Sequence, residues 1–445
     1  MARTMTLPDK ADTALNTLSA GAAAAAIAGG DITSEALVKA CLDRIETRDA
    51  LVCAWVHLDA NLAITEARKA DGARSAGQTL GPLHGVPVGI KDIFDTADMP
   101  TQCGSDLYRG RQPDRDSAAV ALLRRAGAII LGKTVTAELA LSAPGPTANP
   151  LDLARTPGGS SSGSAAAVAD AMVPLAIGSQ TTGSVIRPAS YCGVVGYKPS
   201  FGVIPTHGMH ILADALDHVG LFARQLDDIA LMAKAMMPAA FAAAGEAGAN
   251  PADPPRIGVV RAPVWQEASD DARTRFDAWA SSVGARDAVD LGEVFEDAVA
   301  CQRLILDANL AANLGAACRD HPDRLRDITR ERVRNGSAID DGALAHAMAR
   351  VVEQRSRLRE IFRDYDALLT LAAPGEAPRG LSSTGNAVFS AIWTLTGVPA
   401  VSLPLLEGEN GLPIGVQVIG ASGADEKLLA TAARVAATSS TQGGR

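Results

Sequence analysis

The hydrophobic pattern divides the chain into a helical start, a middle part of short apolar strands, and a helical stretch before the last strands. Between about residues 12 and 70, apolar residues recur at three- and four-residue spacing, and Thr33 offers an N-cap. From residue 85 onward, short apolar runs broken by glycine alternate with helical runs. This alternation predicts an α/β fold in which helices cover both faces of a large mixed β-sheet. The predicted strands are 86–90, 128–131, 175–177, 194–197, 256–260, 367–371 and 416–419, and the predicted helices are 118–125, 165–171 and most of 276–366.

Strand patterns near both ends of the chain favour one sheet, with the middle of the chain forming a cap. The segment 239–255 is rich in Ala, Gly and Pro, which predicts a loop or boundary. We therefore expect a single domain over residues 1–445. Its four parts are N-terminal helices (1–70), a catalytic core (71–237), a helical variable or cap region (238–365) and a C-terminal return to the sheet (366–445).

Composition narrows the class of protein. Apolar residues make up 47 % of the chain and charged residues 20 %, which is typical of a soluble globular protein with a large core. The net charge of −9 and the lack of like-charge runs argue against a nucleic-acid or anionic-membrane partner. No apolar stretch approaches the ~18 residues that span a membrane. Six scattered cysteines without a C-x-x-C pair indicate reduced thiols in the cytoplasm.

The densest chemistry lies in two Gly/Ser-rich turns, 155–164 and 180–188, on either side of one small-residue helix. This arrangement can place two serine hydroxyls and a row of free backbone N–H groups at one spot. Such a site suits attack on a carbonyl carbon and stabilisation of the resulting oxyanion.

Lys91 stands out because it lies within the apolar stretch 86–94, whereas most of the eight lysines lie in polar helices. A lysine in a low-dielectric environment loses its charge more readily and can act as a general base. The alternative is a structural lysine that reaches solvent from a strand end or pairs with Asp92. Lys133 and Lys198 have similar but weaker settings.

Several ordered stretches resemble the motifs of the amidase signature family. These stretches are 85–92, 158–169, 178–188, 192–199, 216–220 and 394–404, and the likeness is weakest over about 239–365. The resemblance implies a Ser-cisSer-Lys triad with Ser184 as nucleophile, Ser160 as bridging serine and Lys91 as base. It also implies a cis peptide bond between Gly159 and Ser160.

The activity that this resemblance implies is hydrolysis of the C–N bond of a small amide through a seryl acyl-enzyme. Its product would be a carboxylate, released with ammonia or an amine. The implied oxyanion hole consists of the backbone N–H groups of Thr181, Thr182, Gly183 and Ser184. The chemistry requires no metal and no organic cofactor.

The chain departs from the commoner family pattern at two positions. Thr182 replaces a glycine, and its side chain could narrow the pocket or donate a hydrogen bond. Arg187 lies three residues after the predicted nucleophile, a form similar to the malonamidase branch, in which the matching arginine is associated with a substrate carboxylate. We therefore predict that Arg187, Ser179 and Gln180 bind substrate, while a structural Arg187 that bonds loop carbonyls remains open.

Other interpretations compete with this one. The stretch 159–163 fits the G-x-S-x-G pattern centred on Ser161, but no apolar strand precedes it, as a nucleophile elbow requires. His207 and His210 have no acidic partner at zinc spacing, which favours ordinary loop histidines. At the level of function, the alternatives are a glutaminase-like, A-type component of a transamidating complex and a catalytically silent binding module. We expect a small-molecule amide as the binding partner, with a homodimer as one assembly option.

Overall fold

The computed structural model describes residues 14–242, 254–285 and 287–440. Within them, eleven strands form one mixed sheet in the order β1-β3-β2-β4-β6-β5-β10-β11-β9-β7-β8, which confirms the predicted α/β fold. The strands are β1 (Trp55–Leu58), β2 (Pro87–Lys91), β3 (Ile129–Thr134), β4 (Leu175–Gln180), β5 (Val195–Lys198), β6 (His218–Ala223), β7 (Ile257–Val259), β8 (Asp287–Ala288), β9 (Ala367–Leu371), β10 (Ala400–Glu407) and β11 (Pro413–Ile419).

Helices account for most of the remaining described residues, and none of them is both long and apolar enough to cross a membrane. The helices are α1 (Ala20–Gly29), α2 (Ser34–Val52), α3 (Ala60–Ser75), α4 (Ala118–Arg125), α5 (Ser162–Ala169), α6 (Ile186–Cys192), α7 (Leu226–Met236), α8 (Pro238–Ala242), α9 (Asp270–Ser282), α10 (Ala298–Asp320), α11 (Asp327–Ser337), α12 (Asp341–Asp364), α13 (Val388–Thr396) and α14 (Asp425–Ser440).

The site-bearing part of the sheet is parallel. Strand β2 lies between β3 and β4 and runs parallel to both. All three strands are buried along their whole length, which explains why they read as continuous apolar runs rather than alternating ones. Because parallel strands end at the same edge, the last residues of β2 and β4 come close together there.

Two strands lie where the sequence pattern did not predict them. Strand β1 interrupts the N-terminal segment expected to be helical, because aromatic Trp55 and β-branched Val56 favour extended backbone and β1 pairs antiparallel with β3. Strand β6 pairs antiparallel with both β4 and β5. The predicted loop 239–255 lies largely outside the described residues, and its described start belongs to the short helix α8.

Helix α5 packs unusually close to the sheet because its residues are small. A Cβ atom at Gly163 would lie 2.2 Å from the carbonyl oxygen of Ala54 and 2.4 Å from the nitrogen of Val135, so only glycine fits. Ser164 donates to the carbonyl of Ile177 on β4 at 2.9 Å. The helix thereby fixes the two turns on either side of it against β2 and β4.

Candidate active site

Lys91 is the last residue of β2 and its side chain is completely buried. Its Nζ lies 2.8 Å from the Oγ of Ser160 and 2.8 Å from the Oγ of Ser179. Burial lowers the pKa of Lys91 to about 7, although the negative charge of Asp217 opposes the shift. No carboxylate in the described residues forms an ion pair with it, so the amine can be neutral and accept a proton near neutral pH.

Asp92, the alternative partner of Lys91, faces another lysine. Its Oδ1 lies 3.3 Å from the Nζ of Lys133, and both side chains are buried. The interpretation of Lys91 as an Asp92-paired strand-end lysine is therefore excluded by the contacts, and so is a lysine that reaches solvent.

Ser160 follows a cis peptide bond with Gly159, as the resemblance implied. Its side chain is fully buried, and its carbonyl accepts a hydrogen bond from the Ala137 N–H at 3.0 Å. The neighbouring Ser161 donates to the carbonyl of Ser179 at 3.2 Å and is also fully buried. No strand in the described residues leads into this turn, so the nucleophile-elbow interpretation of Ser161 finds no support.

Ser184 lies in the connection between β4 and α6 and lines a cavity of about 470 Å³. In the described part of the chain its hydroxyl forms no hydrogen bond, either to Ser160 or to any other group. The structure thus joins Lys91 to Ser160 directly and leaves the Ser184 hydroxyl facing the cavity. Hydrogen bonds between catalytic groups are often long without substrate and tighten when it binds.

The predicted oxyanion hole corresponds to residues 181–184, here named the oxyanion loop. Across the described residues, none of its four backbone N–H groups donates to a protein acceptor, so all remain available to a substrate oxygen. The loop is held from behind by Gln180, whose side-chain oxygen accepts from the N–H groups of Val185 and Ile186 at 2.8 and 3.0 Å. The Thr394 hydroxyl on α13 donates to the carbonyl of Thr182 at 2.7 Å.

A buried carboxylate anchors the first residue of the oxyanion loop. The hydroxyl of Thr181 donates to Asp217 Oδ1 at 2.5 Å, and Asp217 Oδ2 accepts from the Leu212 and Ala213 N–H groups at 2.7 and 3.2 Å. Burial raises the pKa of Asp217 to about 6, against the effect of these hydrogen bonds. The oxyanion loop is therefore tied to the segment that leads into β6 as well as to α13.

Arg187 lies in the first turn of α6 and lines the same cavity as Ser184. Its Nη1 donates to the carbonyl of Gly385 at 2.6 Å, and its Nη2 donates to the carbonyl of Gly159 and, at 3.2 Å, to the Thr384 hydroxyl. Burial lowers the pKa of Arg187 to about 10. In the described residues it has no carboxylate partner, and its Nε is buried without an acceptor.

Comparison with known proteins decides the family, because the family model named Amidase matches residues 36–429. This chain belongs to the amidase family. Across 482 aligned residues it is 34 % identical to the A-type component of the glutamyl-tRNA(Gln) amidotransferase of Acidothermus cellulolyticus, with 95 % of this chain and 94 % of the relative covered.

Solved structures show the same fold over nearly the whole length. A structure described simply as an amidase has a TM-score of 0.84 at 29 % identity and covers 94 % of this chain and 99 % of its own. A chain from a vestigial protein complex, studied for the origins of an s-triazine catabolic enzyme, has a TM-score of 0.85 at 28 % identity, with 96 % and 99 % covered. The chain is accordingly a hydrolase of carbon–nitrogen bonds other than peptide bonds.

The predicted site residues of this amidase occupy three kinds of position. Ser184, Arg187, Thr181 and Thr182 line the cavity. Ser179 instead contacts Lys91, and the side-chain nitrogen of Gln180 donates to the Thr394 hydroxyl at 3.0 Å. Neither Ser179 nor Gln180 belongs to the described cavity wall, so their substrate contact stays a prediction.

The two histidines considered as metal ligands do not come together with acidic groups. His210 is buried and packs edge-to-face against Tyr108, with ring centroids 5.7 Å apart. Burial lowers the pKa of His210 to about 4. Residues 14–242, 254–285 and 287–440 contain no group of three or more His, Cys, Asp or Glu side chains placed to hold a metal ion.

Sequence reasoning missed one residue that contacts the oxyanion loop of this amidase. Gln302 on α10 lines the cavity and donates from Nε2 to the carbonyl of Thr181 at 2.9 Å and to the hydroxyl of Thr182 at 2.8 Å. It lies in the segment that least resembles the family, so no motif pointed to it. The one available signal was Thr182 itself, because a threonine in place of glycine brings a hydroxyl that needs a partner.

Proposed function

We propose that this amidase hydrolyses a small amide that carries a carboxylate, through an acyl-enzyme on Ser184. The observation that carries the proposal is Arg187, a buried cation at the cavity beside Ser184 with no carboxylate partner in the described residues. An uncompensated buried charge is costly, and a substrate carboxylate would compensate it. Arg303 and Arg332 also line the cavity, whereas no Asp or Glu is part of its described wall.

Acylation begins with the proton of Ser184. Neutral Lys91 accepts a proton from Ser160 while Ser160 accepts one from Ser184, whose oxygen attacks the amide carbon. The unbonded N–H groups of the oxyanion loop stabilise the negative oxygen of the tetrahedral intermediate. The proton then returns through Ser160 to the leaving nitrogen, and ammonia or an amine departs.

Deacylation runs through the same groups. Water gives a proton to Lys91 through Ser160 and attacks the acyl carbon, and the oxyanion loop again stabilises the oxygen. Ser184 recovers its proton as the carboxylate product leaves. The 2.8 Å contact between Lys91 and Ser160 and the neutral amine favoured near pH 7 support this relay.

The test compares malonamate with its neutral analogue propionamide, measured as ammonia release. We expect Ser184→Ala to abolish release from both amides. Arg187→Gln should lower kcat/KM for malonamate at least about 100-fold more than for propionamide, because only malonamate has a carboxylate for the guanidinium. Arg303→Gln is the matched control, since Arg303 lines the same cavity but is mostly exposed.

An equal loss for both amides in Arg187→Gln would show that Arg187 serves to bond the carbonyls of Gly159 and Gly385. That result would remove the carboxylate from the proposal but leave amide hydrolysis by Ser184 in place. Full activity of Ser184→Ala would overturn the acyl-enzyme itself.

A second candidate function is that of a glutaminase-type component of an amidotransferase complex. It is favoured by the 34 % identity, across almost the entire chain, with the A-type component of a glutamyl-tRNA(Gln) amidotransferase. Purified chain alone is assayed with glutamine and with malonamate, and its mass is measured by light scattering. Release of ammonia from malonamate by a lone homodimer supports the first function, whereas glutamine hydrolysis that requires added partner proteins supports the second.

We also propose that the whole chain acts as one domain in the cytoplasm. The common sheet, to which strands before, within and after the cap region contribute, supports a single domain. All six cysteines are free, as thiols in a reducing compartment are.

A further inference from the structure

Thr182 and Gln302 form a hydrogen-bonded pair, here named the Thr182–Gln302 pair, in the wall of the cavity that contains Ser184. Gln302 is only 3 % exposed, and its Nε2 reaches both the Thr182 hydroxyl and the carbonyl of Thr181. The pair joins residues 120 positions apart, one in the oxyanion loop and one on the cap helix α10. It is outside the proposed Lys91–Ser160–Ser184 relay.

The orientation of the Gln302 amide follows from its partners. The carbonyl of Thr181 can only accept, so the nitrogen of Gln302 must face it. Both N–H bonds of that nitrogen are then used, one on Thr181 and one on the Thr182 hydroxyl. The Thr182 hydroxyl is thereby held as an acceptor, which fixes the direction of its side chain.

The backbone of Thr182 is fixed from the opposite side. Its carbonyl accepts from the Thr394 hydroxyl on α13 at 2.7 Å. With main chain and side chain both held, the β-carbon and methyl group of Thr182 cannot turn away from an entering substrate without breaking hydrogen bonds. A glycine, the commoner residue of the family pattern at this position, would leave that space open.

We propose that the Thr182–Gln302 pair limits the size of the acyl group that Ser184 accepts. This inference rests on the proposed amide hydrolysis but not on the role of Arg187. Thr182 provides the bulk, and Gln302 keeps that bulk in place. Small acyl groups are accepted beside the oxyanion loop, and longer or aromatic ones collide with the Thr182 side chain.

The experiment measures ammonia release from acetamide, butyramide, valeramide and benzamide. The readout is the kcat/KM for each longer amide divided by that for acetamide. Thr182→Gly should raise this ratio at least about 10-fold for valeramide, within the range that steric differences in a pocket produce. Thr182→Val, which keeps the shape and removes the hydroxyl, should raise it much less.

Gln302→Ala tests the second half of the pair. It should relax the length limit by less than Thr182→Gly, because the bulk remains but loses its anchor. It should also lower kcat for every amide, because the buried carbonyl of Thr181 loses its donor. Asn309→Ala is the matched control on α10, since the Asn309 amide bonds the Ile305 carbonyl within the same helix.

The outcomes separate the two proposals. A wild-type enzyme that releases ammonia, together with Thr182→Gly at an unchanged ratio for all four amides, would overturn the size limit alone. Equal ratios in Thr182→Gly and Thr182→Val would also overturn it. A wild-type enzyme that hydrolyses none of these amides or malonamate, despite labelling of Ser184 by a fluorophosphonate, would count against the proposed function instead.

Discussion

Lys91 and Lys133 lie on neighbouring parallel strands, and both side chains are completely buried. Burial lowers the pKa of each. Their surroundings differ, because Lys91 contacts two serine hydroxyls whereas Lys133 is surrounded by acceptors and a carboxylate. The acceptors of Lys133 are the carbonyls of Phe94 (2.9 Å) and Pro100 (3.0 Å) and the hydroxyls of Thr101 (2.6 Å) and Thr96 (3.4 Å), with Asp92 at 3.3 Å.

A third buried lysine sharpens the contrast. Burial also lowers the pKa of Lys198 to about 7, the same value as for Lys91. Lys198, however, donates to the carbonyls of Val398 and Pro199 at 2.6 and 3.2 Å. A carbonyl cannot pass a proton onward, and a hydroxyl can. A suitable pKa is therefore shared by two lysines, and only the neighbouring hydroxyl near Ser184 makes Lys91 the proposed base.

The largest expected effect belongs to Lys91. Lys91→Met keeps the length of the side chain and removes the amine, so kcat for amide hydrolysis should fall about 10,000-fold or more, as when a member of a catalytic unit is lost. Ammonia release is measured alongside circular dichroism to establish that the variant folds. Activity within tenfold of wild type would mean that Lys91 is not the base.

Lys133→Met should act on stability instead. It leaves Asp92 as an uncompensated buried charge, which is expected to lower the free energy of unfolding by about 3–5 kcal/mol. Urea denaturation measures this loss. Turnover per fluorophosphonate-titrated site should stay close to wild type, and a collapse of turnover in correctly folded enzyme would erase the distinction between the two lysines.

The pH dependence of the wild type should follow Lys91. Because the neutral amine is the active form and its pKa is about 7, kcat/KM should rise with pH and level off above that value. Below it, activity should fall about tenfold per pH unit, and more steeply once Asp217, with a pKa of about 6, is protonated. A profile that stays flat from pH 5 to 8 would contradict a lysine base.

Lys198→Met should have the smallest effect on catalysis. Its amine has the lowered pKa but no hydroxyl partner, so kcat/KM should remain within about threefold of wild type. The pH profile should likewise keep its midpoint. A loss comparable to that of Lys91→Met would show that a lowered pKa alone identifies functional lysines in this protein.

Sequence reasoning located the chemistry well because the motifs are local. Lys91, Ser160, Arg187 and Ser184 all lie in short ordered stretches, and the structure brings them to one edge of the parallel strands. The apolar runs of β2 and β4 also predicted those strands, because a strand buried on both faces needs apolar residues throughout.

What the sequence could not provide was contact between distant elements. The hydrogen bonds from Gln302 to the oxyanion loop depend on where α10 packs, and periodicity within one helix carries no such information. Ser179 was assigned to substrate from its position in a motif, whereas its hydroxyl contacts Lys91 because β4 lies beside β2. Strand β1 was missed because four residues between long helices give too short a pattern.

The two hydroxyl neighbours of Lys91 have a consequence for how the enzyme cycles. A hydroxyl can reverse its role by rotating one hydrogen about its C–O bond while every heavy atom stays in place. The line from Lys91 through Ser160 can therefore carry a proton inward during one half-reaction and outward during the next without remodelling the core. A rigid, tightly packed interior is then compatible with a two-way catalyst, since the only moving parts are hydrogens.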